Sequence, residues 1–74
     1  MFDERKFKAQ MVMAGVTQAQ LATFLRINVS TLYRKIKNNG DFSREEISKL
    51  VDILHIDNPQ DIFFARELTE TQGW

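Results

Sequence analysis

Apolar residues recur at three- and four-residue spacing along most of the chain, and this period predicts helices. Phe7, Met11 and Ala14 lie at i, i+4 and i+7 and predict a first helix over about Asp3 to Ala14, which Gly15 can end in the left-handed conformation. Thr17 and Gln20 form a capping pair at the start of a second helix, where Leu21, Ala22 and Leu25 mark the buried face. Val29, Leu32, Tyr33 and Ile36 give an apolar stripe for a third helix, from Asn28 as cap to about Asn38. Ile47, Leu50, Val51 and Leu54 give the cleanest periodicity, in a fourth helix over about Arg44 to His55. Asn58 as cap with Pro59 at the first position starts a short fifth helix, which carries Ile62, Phe63 and Phe64. The expected fold is all-α, a bundle of about five short helices.

The links between these helices carry their own signals. Ser43 and Glu46 form a second capping box, with Phe42 placed as a hydrophobic staple against Ile47. Lys37 to Asp41 is a turn of residues that tolerate positive φ. Between the second and third helices Ile27 is placed to plug the angle, while Arg26 stands where a tight turn favours Gly. A left-handed Arg costs about 1 kcal/mol, so either the turn is built differently or that cost is tolerated. Met11 is expected as core filler and Met13 as surface.

Two short helices joined by a tight turn, with Ala22 where their axes approach, have the pattern of a helix-turn-helix. Such a module places its second helix in the DNA major groove. Ser30, Arg34 and Lys37 share one stripe of the third helix at i, i+4 and i+7. A guanidinium can bond a guanine edge through two donors, and short hydroxyls can meet base edges or phosphates. The same pattern also describes an ordinary amphipathic helix with a solvated basic face. Lys6 and Lys8 could approach phosphate, but a solvated face is expected for them.

Charge distribution favours the nucleic-acid reading. The 74 residues carry no net charge, which disfavours non-specific binding driven by charge alone. Residues 1–25 are net +1, residues 26–40 are net +4 with no acid, and residues 41–74 are net −5. Basic charge is thus concentrated on the third helix and its approach. A small basic face predicts modest affinity per monomer, so a dimer is expected.

Composition removes other classes. There is no Cys and one His, which excludes a disulfide framework and a multi-His metal site within one chain. No apolar run approaches the roughly 20 residues of a membrane span, and no signal-peptide pattern is present. No paired carboxylates, nucleophile arrangement or phosphate loop points to an enzyme, and His55 is expected to serve a helix end. The chain is expected to be one soluble domain over 1–74 with no cofactor, no catalytic residue and no membrane partner. Residues 65–74 have weak periodicity and form either a disordered tail or a dimerisation segment.

Residues 5–64 resemble the small phage Cro/CI-type repressors of the lambda-repressor-like (XRE-type) helix-turn-helix family. The resemblance rests on Gly15-Val16-Thr17-Gln18-Ala19-Gln20-Leu21-Ala22, Val29-Ser30-Thr31-Leu32-Tyr33-Arg34-Lys35-Ile36 and Phe42-Ser43-Arg44-Glu45-Glu46-Ile47. The stretches MFDERKF and NPQDIFF look closer still to short phage proteins described as Cro repressors. The resemblance implies a cytoplasmic regulator in a bacterial host that binds double-stranded operator DNA as a homodimer and represses transcription. By position, Val29, Ser30, Thr31 and Arg34 match the family's base-contacting residues. Gln18 matches a phosphate-bonding position, and Lys37, Asn38 and Asn39 match a segment that meets the backbone. Arg26 replaces the usual turn Gly. Val29 is apolar where a polar reader is common, and it either meets a thymine methyl or belongs to the core stripe. An alternative keeps the fold but gives it a protein partner, as an antirepressor or modulator of a partner repressor. The acidic C-terminal half and Phe63, Phe64 and Trp74 motivate it.

Overall fold

The structure, a computed structural model, describes residues 1–64. Five helices follow one another: α1 (Glu4–Ala14), α2 (Gln18–Leu25), α3 (Val29–Lys37), α4 (Arg44–Leu54) and α5 (Pro59–Phe63). There is no strand among the described residues, so the architecture is all-α. α2 packs on α3, and α1 packs on α4 and α5. The expected helix bounds hold to within a residue or two. The tail from residue 65 onward, with Trp74, lies outside the described residues.

Both capping boxes form. Thr17 Oγ1 accepts from the Gln20 N–H at 3.1 Å while Gln20 Oε1 accepts from the Thr17 N–H at 3.0 Å. Ser43 and Glu46 repeat the exchange at 3.1 and 2.8 Å. Asp3 caps α1 by accepting from the Lys6 N–H. The two Asn caps behave differently: Asn28 and Asn58 occupy the cap positions of α3 and α5, but neither side chain bonds to its helix.

Three helices end in the same way. Gly15, Arg26 and His55 are each left-handed, with φ of 69, 59 and 54°. The following residue is β-branched and apolar, and its N–H reaches back to close the last turn. These bonds run from Val16 to the Met11 carbonyl, from Ile27 to that of Ala22 and from Ile56 to that of Val51, each at 3.0 Å. This is the Schellman arrangement, in which the apolar residue after the cap also packs back on the helix. Ile56 is buried, while Val16 and Ile27 pack partly buried against the core. At Arg26, then, the left-handed turn is kept and its cost is tolerated, because two backbone bonds and the packing of Ile27 are gained. Gln10 of α1 adds a cap from a distant part of the sequence, donating from Nε2 to the Leu54 and His55 carbonyls at the end of α4.

The core combines Leu21, Ala22 and Leu25 of α2, Leu32 and Ile36 of α3, and Leu50 and Leu54 of α4 with a cluster of four phenylalanines. Phe2, Phe7, Phe42 and Phe63 all contact one another, with ring centroids 5.2 to 6.3 Å apart. Phe63 is therefore core and not part of an exposed aromatic surface, whereas Phe64 is 41 % exposed. Phe2 has no periodic partner in the sequence, yet it is buried. It is held by bonds from its own N–H to Asn39 Oδ1 at 3.2 Å and from the Asp3 N–H to the Ile62 carbonyl at 2.6 Å. Met11 is buried and Met13 is exposed, as expected.

Two substitutions test these turns. Arg26→Gly removes the left-handed penalty and adds unfolded-chain entropy, so urea unfolding is expected to show a gain of up to about 1 kcal/mol. A loss would mean that the Arg side chain itself supports the turn. Gly40→Ala does the reverse: φ is +66° and a Cβ there would collide with the Phe2 ring. A loss of about 1–3 kcal/mol is expected, and an unchanged midpoint would show that Phe2 is free to move aside.

Candidate nucleic-acid interface

α3 buries Leu32 and Ile36 almost completely, and these two residues fix which way the helix faces. The four-residue apolar stripe is narrower than its sequence suggests. Val29 and Tyr33 are 49 and 53 % exposed, so Val29 does not belong to the core. They lie along one edge of α3, beside the face that Leu32 and Ile36 bury. The outward stripe is Ser30, Arg34 and Lys37, all exposed. Val29 and Tyr33 border it on one side, and half-buried Thr31 borders it on the other. A shallow recess beside this stripe is lined by Thr31, Arg34, Lys35, Asn38 and Asp41. Three of the four base-contacting candidates are thus exposed on α3, and Thr31 joins them through the recess.

The phosphate candidates are more scattered. Gln18 is the first residue of α2 and half-buried. Asn38 is the exposed residue that ends α3. Asn39 is left-handed, and its Oδ1 accepts the Phe2 N–H, so only its amide Nδ2 is left for an external acceptor. It therefore has a structural task that its sequence position does not reveal.

The lysines of α1 and α3 are engaged inside the molecule. Lys37 Nζ lies 2.8 Å from Glu4 Oε2 and 5.6 Å from the centroid of the Tyr33 ring. The same Glu4 oxygen is 2.8 Å from Lys8 Nζ. Lys35 Nζ meets Glu46 Oε1 at 3.4 Å and the Asp41 carbonyl at 3.3 Å. Lys6 pairs with Asp61 of α5 at 2.8 Å. Among the described residues, Arg34 is the α3 cation that makes no ion pair. The i,i+4 pair of Glu4 and Lys8 is readable from spacing. The links from Glu4 to Lys37 and from Glu46 to Lys35 join separate helices, and no local signal predicts them.

These pairs shift titrations. Hydrogen bonds from Lys37 and then Lys8 lower the Glu4 pKa, and the Glu4 carboxylate raises that of Lys37. Burial pushes Glu46 up, but the Ser43 backbone N–H and the Lys35 charge outweigh it, and the net shift is down. No helix of the described residues is long and apolar enough to cross a membrane. No family model matches the chain, nor does any curated protein or solved structure.

A depressed carboxylate pKa stabilises the fold above its unfolded value, about 4.3 for Glu, and that contribution is lost as pH falls through the folded value. For Lys37 the sign is opposite, with stability present below an unfolded value of about 10.4 and lost as pH rises beyond it. Glu46→Gln keeps an acceptor for the Ser43 N–H but removes the charge. Its urea midpoint is expected below that of the wild type at neutral pH and to converge with it as pH falls through the lowered folded-state pKa of Glu46. Parallel curves across the acid range would show that Glu46 acts through capping alone.

Proposed function

We propose that this chain is a sequence-specific DNA-binding transcriptional regulator of the Cro type, in which α2 and α3 act as a helix-turn-helix and α3 enters the major groove. The observation that carries this reading is the outward stripe of α3. Ser30, Arg34 and Lys37 are exposed on the side away from the buried Leu32 and Ile36, and Arg34 has no carboxylate partner among the described residues. An α-helix with its side chains is about 10–12 Å across, which suits a major groove about 12 Å wide. The net charge of +4 on residues 26–40 supplies a local attraction that the neutral chain as a whole lacks.

In this reading Arg34 bonds a guanine edge through two donors, and Ser30 and Thr31 meet base edges or the nearest phosphates. Exposed Val29 packs on a thymine methyl. Gln18, Lys37 and Asn38 contact the backbone, and Asn39 contributes through its amide nitrogen. Two copies on an inverted repeat would double the contacts of a small interface, and occupancy of an operator that overlaps a promoter would repress transcription. No cofactor is required.

A second reading keeps the scaffold for binding a partner repressor. Val12 and Met13 of α1, about four-fifths exposed, favour it. It differs in what it predicts: a stoichiometric protein complex without enrichment of any DNA sequence.

Selection of bound duplexes from a random pool separates the two. The DNA reading expects an enriched inverted repeat whose half-site spacing reports the dimer geometry. A folded protein that leaves the pool random would overturn it. On the selected duplex, Arg34→Ala is expected to cost about 1–3 kcal/mol and to relax preference at one base pair. An equal loss on every sequence would assign Arg34 to phosphate instead.

A further inference from the structure

We infer that Glu4 is an internal competitor of the DNA backbone: its carboxylate occupies Lys37 in the free protein, and a phosphate oxygen replaces it on binding. This inference rests on the DNA-binding reading above. Lys37 stands at the C-terminal end of α3, where the outward stripe meets the turn, and Glu4 reaches it from the first turn of α1 across a 2.8 Å bond. A carboxylate oxygen and a phosphate oxygen are the same kind of acceptor for an ammonium group. Lys37 has three N–H donors but a single positive charge, and a carboxylate held on that charge repels an incoming phosphate, so the two anions compete for it.

The pair is built to exchange. Lys37 and Glu4 are 45 and 32 % exposed at their side chains, so water screens them and little is lost when they part. Lys8 holds the same Glu4 oxygen at 2.8 Å. When Lys37 swings to phosphate, Lys8 keeps the carboxylate paired and on α1, so an uncompensated acid is not left beside the DNA. The Tyr33 ring lies 5.6 Å from the Lys37 ammonium and adds a weak attraction for its charge. Glu4 therefore lowers the affinity of this face for any DNA backbone, and the binding that remains relies more heavily on Arg34.

The test is a double-mutant cycle on the full chain: wild type, Glu4→Gln, Lys37→Gln and the double variant. Binding is measured on the selected duplex and on a scrambled duplex of equal length, across a salt series. Glu4→Gln is close to isosteric, and circular dichroism checks that each variant retains its helices. The expected result is that Glu4→Gln tightens binding to both duplexes roughly two- to fivefold at low salt. That gain should shrink as salt rises, because salt screens the Glu4–Lys37 pair of the free protein. Both effects should vanish in the Lys37→Gln background. Wild-type affinity in Glu4→Gln, or the same gain with and without Lys37, would overturn the inference while leaving the DNA reading intact. A wild-type protein that binds neither duplex overturns both.

Discussion

Four phenylalanine rings from four separate stretches of chain meet at one point, and the placement of every helix end around the candidate interface depends on that meeting. Phe2 comes from the N-terminal segment, Phe7 from α1, Phe42 from the link between α3 and α4, and Phe63 from α5. Each ring contacts the other three, and aromatic pairs contribute about 0.5–1.5 kcal/mol beyond their buried area. The larger effect is topological. None of the four stretches could bury its ring alone: α5 has five residues, and the N-terminal segment has no regular structure. Joining them brings the start of α1 against the end of α3. That is why Glu4 and Lys37, far apart in sequence, can share a bond, and why the Phe2 N–H finds Asn39.

Much of the fold is legible because it is local. Periodicity places the first four helices and the Asn58-Pro59 start places the fifth, and the two capping boxes form with the partners that their spacing specifies. The helix ends are legible too, but through a different residue from the one usually sought. Gly15 fits the glycine rule, whereas Arg26 and His55 do not. What the three ends share is the β-branched residue that follows, Val16, Ile27 or Ile56, whose packing and backbone bond hold the turn closed.

What periodicity does not convey is which half of a stripe a neighbour covers. Val29, Leu32, Tyr33 and Ile36 look equivalent in a helical projection, yet α2 and the core take Leu32 and Ile36 and leave the other two in solvent. The aromatic run at the fifth helix divides in the same manner, with Phe63 inside and Phe64 outside. Phe2 is the converse case, an isolated apolar residue outside any helix that becomes core because the turn at Gly40 leaves room for its ring. Ion pairs between helices are illegible for the same reason. They follow from tertiary placement, and spacing along one helix carries no information about them.

α3 itself shows why its outward face is free of structural duty. Its first turn holds Val29, Ser30 and Thr31, and Tyr33 follows. These are residues with modest helix propensity, and Asn28 gives no side-chain cap. A nine-residue helix of this composition would be marginal in isolation. It is held by Leu32 and Ile36 against the core, by the Arg26–Ile27 turn before it and by the Asn39–Gly40 turn after it. Stability therefore comes from one narrow side and the two ends. The outward residues carry almost no structural duty, so Ser30 and Arg34 can be exchanged without disturbing the core. Lys37 and Asn39 are less free, because each is tied to the N-terminal segment or α1. The outward surface thus grades from unconstrained side chains in the middle of α3 to constrained ones at its end, and substitution is easiest where the helix touches nothing else.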